Sequence, residues 1–181
     1  MLLLTHGAGS NRNAPLLVAI AKELDGIEVV RYDLPFRQQR PSGPPRPADA
    51  TRDREGLREQ MQQLRARANG PVYLGGVSYG GRQASMLAAE EPDVADGLLL
   101  LSYPLHPPGK PAQLRTAHLL NLRIPVLFVH GSRDPFGSLE EMSGALPLIP
   151  ARTHLEPVQG AGHDLKGAAK IAAQAFREFF K

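Results

Sequence analysis

Apolar positions along the chain fall into two patterns. The first is a set of short runs: Leu2-Leu3-Leu4-Thr5, Ile27 to Tyr32, Pro71-Val72-Tyr73-Leu74, Gly97 to Ser102, Ile124 to His130 and Thr153 to Val158. Ile27 to Tyr32 and Thr153 to Val158 have polar residues among the apolar ones and are added as the second and last strands. Several stop abruptly at glycine-rich segments, such as His6-Gly7-Ala8-Gly9 after the first and Gly75-Gly76 after the third. Runs of this length without alternation predict strands buried on both faces, as in a parallel sheet. The second pattern has helical spacing. Leu16, Leu17, Ile20, Ala21 and Leu24 share one face, as do Leu57, Met61, Leu64 and Ala68, and later Ala168, Ala172, Ala175, Phe176 and Phe179. A further helix is expected over about Gly81 to Glu90.

Punctuation agrees with these elements. Asn13 reads as an N-cap with Pro15 in the first turn, and Gly26 ends that helix. Asn69-Gly70-Pro71 stops the second helix, and Ser138-Leu139-Glu140-Glu141 fits a capping box. Two stretches break the pattern. Phe36 to Pro47 is rich in arginine and proline, which predicts a long loop rather than helix or central strand. Tyr103 to Arg123 is a second long connection, with a short helix expected over Ala112 to Leu120.

Strands alternating with helices imply right-handed crossovers and a sheet covered on both faces. The expected fold is α/β, a three-layer sandwich with a doubly wound parallel sheet of about six strands. In such sheets sites form at the carboxyl ends of the strands.

Composition narrows the classes. At 181 residues the chain is expected to be one domain spanning 1–181. A net charge of +3, with basic residues dispersed apart from the one arginine-rich loop, does not support nucleic-acid binding. The absence of cysteine excludes disulfides, thiolate metal sites and cysteine nucleophiles. No apolar stretch approaches the ~18 residues of a membrane span. Met1-Leu2-Leu3-Leu4 has neither a basic region nor a cleavage site, so it is not expected to be a signal peptide, and a cytoplasmic protein is the default. No cofactor or metal is expected, and the oligomeric state is left open.

The chemistry gathers at strand ends. Gly76-Val77-Ser78-Tyr79-Gly80 matches Gly-x-Ser-x-Gly, a serine on a tight strand-to-helix turn whose flanking glycines meet backbone. The pattern arises by chance in about one such chain in ten, so its strand-then-helix context matters more than the letters. A serine needs a base to become nucleophilic, and the base needs an orienting acid. Asp134, after the fifth run, and His163, in Gly160-Ala161-Gly162-His163-Asp164 after the sixth, follow Ser78 in the order serine, acid, histidine. Each gap leaves room for about one strand–helix unit. The Tyr79 N–H at the helix start and the Ala8 N–H after the first strand are the candidate oxyanion donors. Plainer readings exist: Ser78 as a turn residue, Asp134 before Pro135 as a turn initiator, His163 as an exposed loop residue. They would have to coincide in the right order.

The chain from Leu2 to its C-terminus resembles the α/β-hydrolases. More narrowly, Leu3 to Gly9, Gly75 to Arg82 and Tyr103-Pro104-Leu105-His106-Pro107-Pro108-Gly109-Lys110-Pro111 resemble a small bacterial hydrolase group. That group is related to the hydrolase-like domain of a subunit of a eukaryotic histone-acetyltransferase complex. The resemblance implies triad roles for Ser78, Asp134 and His163. Full-length members of the superfamily carry two strands before the one at Leu2. The expectation is therefore a reduced, all-parallel α/β-hydrolase fold lacking the first two strands, unless the natural start lies upstream.

The expected function is a serine hydrolase acting on small-molecule esters or thioesters of small acyl groups, in an open and modest pocket. The alternative is a non-catalytic, protein-binding module on the same fold. Arg37, Arg40 and Arg46 are candidates for a basic lip suited to an anionic substrate, against the reading of a solvated loop. His106 is a candidate pocket residue, Arg82 is expected to pack or pair beside the serine turn, and His118, His130 and His154 are expected to be structural.

Overall fold

The leucine runs become strands because each sends alternate side chains into two separate cores. The computed structural model describes residues 1–181. Six strands, β1 (Leu2–Thr5), β2 (Val29–Tyr32), β3 (Tyr73–Val77), β4 (Leu98–Leu101), β5 (Val126–Gly131) and β6 (Thr153–Val158), form one sheet in the order β2-β1-β3-β4-β5-β6. Every pairing is parallel. The helices are α1 (Pro15–Glu23), α2 (Pro35–Gln39), α3 (Asp49–Arg67), α4 (Tyr79–Glu90), α5 (Leu139–Ala145) and α6 (Ala169–Phe179). None is long and apolar enough to cross a membrane.

Leu2, Leu4, Leu99, Leu101, Leu127 and Val129 face α1 and α6, where Leu17, Ile20, Ala172 and Phe176 meet them. Their neighbours Leu3, Leu98, Leu100, Val126 and Phe128 face the other layer, built on Leu57, Met61, Ala84, Leu87 and Met142 of α3, α4 and α5. The period-two alternation of a strand thus fills both cores without a polar face. This is the α/β three-layer arrangement expected of the sequence.

Local departures have physical causes. The stretch from Phe36 is not loop throughout, since its first residues belong to α2. Pro35 sits at the helix start, where its missing N–H is no loss, and the helix stops at Arg40, which is extended ahead of Pro41. The expected helix over Ala112 to Leu120 does not form. Arg115 N–H is drawn away to Leu105 O at 2.8 Å instead of bonding within the segment, and only a 3-10 turn appears at Leu119–Asn121. Asn13 does not cap α1. Ala14 occupies the cap position, and the Asn13 carboxamide accepts from Arg31 Nη1 at 3.2 Å. The Ser138 capping box is formed in full.

Candidate active site

The chain leaves β1 toward β2 at one edge, then returns to β3 on the other side of β1. The carboxyl ends of β1 and β3 therefore flank the point where the winding reverses, the usual crevice for a ligand. Ser78 stands there with φ 50° and ψ −114°, a left-handed conformation costly for a side-chain-bearing residue. The turn is forced by close backbone. A Cβ on Gly76 would lie 2.6 Å from Gly80 C, and one on Gly80 would lie 2.5 Å from His6 O. Ser78 N–H donates to Leu101 O at 2.8 Å, while Ser78 O accepts from Arg82 N–H at 2.9 Å, so strand and helix both hold the turn.

The exits of β5 and β6 are tied together. Ser132 N–H donates to Val158 O at 3.0 Å, and Arg133 N–H donates to Ala161 O at 2.9 Å. That contact brings His163 to Asp134. His163 Nδ1 lies 2.8 Å from Asp134 Oδ2 and 2.9 Å from Oδ1, and His163 Nε2 lies 2.8 Å from Ser78 Oγ. An ionised carboxylate only accepts, so the proton belongs on Nδ1 and Nε2 is left to accept from the serine hydroxyl. Asp134 is 6% exposed and is itself held by Phe136 N–H at 2.9 Å. The Phe136 ring stacks on the imidazole with centroids 4.0 Å apart.

The two candidate donor amides belong to Ala8 and Tyr79, whose surroundings are fixed by His6 and Asp53. His6 is fully buried, and burial holds it below the usual histidine value. Leu34 N–H donates to His6 Nε2 at 3.1 Å, so the ring proton sits on Nδ1, which donates to Gly7 O at 2.8 Å. Gly7 O and Ala8 N–H belong to one trans peptide and point opposite ways, so the Ala8 N–H faces away from His6. No protein acceptor takes that Ala8 N–H. Tyr79 is the first residue of α4, so its N–H has no intrahelical acceptor. Its hydroxyl donates to the buried Asp53 at 2.7 Å, and Asp53 also takes Phe36 N–H at 2.9 Å. Burial pushes the Asp53 carboxyl up, and burial together with Asp53 pushes the Tyr79 phenol up.

Residues 1–177 match the family described as the alpha/beta hydrolase domain. This chain belongs to that family. Solved structures of similar shape include an alpha-beta serine hydrolase homologue from Coxiella burnetii (18% identity, TM-score 0.75, covering 98% of this chain and 84% of that one). Another is a dienelactone hydrolase from Anabaena variabilis (22%, 0.77, 99% and 84%). A third is Est1E from Butyrivibrio proteoclasticus (18%, 0.74, 99% and 86%). At these identities the likeness is one of fold.

In this alpha/beta hydrolase, Ser78, Tyr79, Ala8 and His163 line one open cleft of about 1490 Å³, with Asp134 behind the histidine. That exceeds the ~300–1,000 Å³ usual for a small-molecule pocket, so the expectation of a modest one is not met. The candidate basic lip is also revised. Arg37 is 7% exposed and turned inward. It donates to Ser10 O at 2.8 Å, Ala8 O at 2.9 Å, Gly43 O at 2.9 Å and Arg40 O at 3.1 Å, and so binds the loop after β1 to the proline-rich segment. Arg40 pairs with Asp49 at 2.5 Å. Neither lines the cleft, whereas Arg46 does. His106 is not a cleft residue either. It is 5% exposed and bound between Pro107 O at 2.8 Å and Glu141 at 3.3 Å, contacts that raise it above the usual histidine value.

Sequence reasoning passed over Arg115 and expected Arg82 to be packed or paired. Both line the cleft. The available signal was position. Arg82 lies four residues after Ser78 on a helix, which puts it one turn from the serine. No group of three or more histidine and carboxylate side chains is gathered that could hold a metal ion.

Proposed function

We propose that the protein is a serine hydrolase that cleaves carboxylic esters or thioesters through Ser78, His163 and Asp134. The observation that carries this reading is the continuous line from Ser78 Oγ through His163 to Asp134, at a strained turn opening on a cleft. His163 Nε2 takes the hydroxyl proton as Ser78 Oγ attacks the carbonyl carbon, and Asp134 stabilises the imidazolium. The carbonyl oxygen becomes an oxyanion between the Ala8 and Tyr79 amides. As the carbonyl re-forms, the bond to the leaving oxygen or sulfur breaks and His163 returns the proton to it. Water, deprotonated by His163, then attacks the acyl-serine, and the proton returns to Ser78 as the acid leaves.

In this reading the acyl group is small and the leaving group takes the rest of the cleft. We further propose that residues 1–181 act as one domain, in the cytoplasm, on a small molecule. A binding-only module would have no use for a serine held at a positive φ beside an aligned histidine. The test is hydrolysis of short-chain p-nitrophenyl esters by the native protein and by Ser78→Ala. The native protein should turn over and the variant should lose about 10⁴-fold or more in kcat. Equal hydrolysis by both would place the chemistry elsewhere, and no hydrolysis by either would favour the binding module.

A further inference from the structure

Arg82 and Arg115 stand apart from the other basic residues of the site. The Arg82 guanidinium makes no hydrogen bond and no ion pair within the protein, and its Nε is buried without a partner. Arg115 reaches the same cleft from the connection after β4. Its backbone is fixed by Leu105 O at 2.8 Å and by the Tyr103 hydroxyl at 2.7 Å, but its guanidinium meets only Pro104 O at 3.4 Å. The two cations lie close enough to act on each other and on their neighbours. Burial and Arg82 hold Arg115 below the usual arginine value, and burial with Arg82 and Arg54 brings His118 down to about 4.

Arg54 is answered by Glu90 at 3.1 Å, and no carboxylate answers Arg82 or Arg115. The acids that line the cleft, Glu23 and Asp164, belong to the α1–α6 side, on the opposite face of the sheet from α4. Two partly buried like charges without a counter-ion are unfavourable unless an anion joins them. Guanidinium forks suit the paired oxygens of a carboxylate or phosphate.

We propose that Arg82 and Arg115 form an anion subsite, one helical turn from Ser78, that receives a carboxylate or phosphate carried by the substrate beside its scissile ester. The substrate part of this proposal rests on the hydrolase reading, and the anion-binding part does not. Arg46, at the exposed rim of the same cleft, supplies charge along the approach rather than a contact.

Three matched acetates test it: phenyl acetate, 3-acetoxybenzoate and 3-acetoxyphenyl phosphate. The native protein should favour one charged ester over the neutral one by about 10-fold or more in kcat/KM, mainly through KM. The preferred one identifies the anion as carboxylate or phosphate. In Arg82→Gln/Arg115→Gln that ratio should collapse toward one, whereas Arg123→Gln, which removes one charge outside the cleft, should keep it. No preference in the native protein, or a preference surviving the double substitution, overturns the proposal. If the double variant does not fold, Arg82→Lys and Arg115→Lys should each reduce the ratio, since lysine keeps the charge and loses the fork. Calorimetry on Ser78→Ala with benzoate and inorganic phosphate reads the subsite without turnover. One of them should bind, and should fail to bind once both arginines are replaced. Anion binding without hydrolysis of any ester leaves the subsite standing and removes the hydrolase. Hydrolysis without preference or binding does the reverse.

Discussion

The two sides of the cleft are held by different forces. On one side lie the turn at Ser78 and the joined exits of β5 and β6, where contacts between backbones dictate the geometry. Gly76 and Gly80 leave no room for a Cβ, and the Ala161 and Val158 carbonyls are bonded to the loop that carries Asp134. On the other side lie the segments after β2 and β4, where long side chains choose among distant partners. Arg37 is consumed by four carbonyls, whereas the Arg115 guanidinium meets only one. The first side has one solution for its sequence. The second has several, and packing elsewhere in the fold selects one.

The comparison breaks most visibly on the backbone-built side. Asp134→Asn keeps the shape but cannot hold the imidazolium, so kcat on a short ester should fall by about 10⁴-fold with the fold retained. Near-native turnover would mean that another acid serves His163. Gly80→Ala should damage the fold itself, because the new Cβ meets His6 O and Thr5 Cγ2 at 2.5 and 2.7 Å. A loss of about 2–3 kcal/mol in urea unfolding is expected, and an unchanged midpoint would show that the turn relaxes freely.

The side-chain-built side should respond more gently. Arg37→Met leaves Ala8 O and Ser10 O without their donor, costing about 1–3 kcal/mol of stability. It should also lower kcat on charged and neutral esters alike, because it loosens the loop that carries the Ala8 amide. A selective loss on charged esters would instead make Arg37 a substrate ligand. Chemical rescue sharpens this point. Guanidinium at tens of millimolar should restore part of the Arg37→Ala rate if the buried cation acts by tying loops together.

Legibility followed the same division. The central strands are visible as short apolar runs, because a strand buried on both faces has few polar positions to confuse the pattern. The edge strands β2 and β6 are placed by their spacing between helices, although they carry Arg31, His154 and Glu156. Ser78, Asp134 and His163 are visible because strand-end order determines where they emerge. Arg37 and Arg82 are alike as letters. The acceptors of Arg37 come from residues 8, 10, 40 and 43, and only the folded chain brings those together. Asn13 illustrates the same limit locally, since its side chain serves Arg31 rather than the helix it precedes.

The smallest expected effect concerns pH. Burial, with Arg82 and Arg54 nearby, brings His118 from the ordinary 6.5 to about 4 in the folded protein, where it lies 2.8 Å from the Ser85 hydroxyl. Above pH ~6.5 the histidine is neutral folded or unfolded and costs nothing. As pH falls toward 4 only the unfolded chain takes up the proton, so stability is lost across that window. Tm should decline from pH 7 to 4, and His118→Gln should flatten the decline. Some slope should remain, since burial also lowers His6 and His130. An equal slope in the variant would assign the effect to those two histidines and to Glu28, Asp49 and Glu141. Hydrogen-bond partners hold those three carboxyls below the usual carboxylate value.

The central claim is that Ser78 is an activated nucleophile, and covalent labelling with a fluorophosphonate followed by peptide mass mapping tests it most directly. The account predicts a single adduct, on Ser78, absent from Ser78→Ala and much slower to form in Asp134→Asn. A native protein that stays unlabelled, or one labelled at another serine, would contradict it.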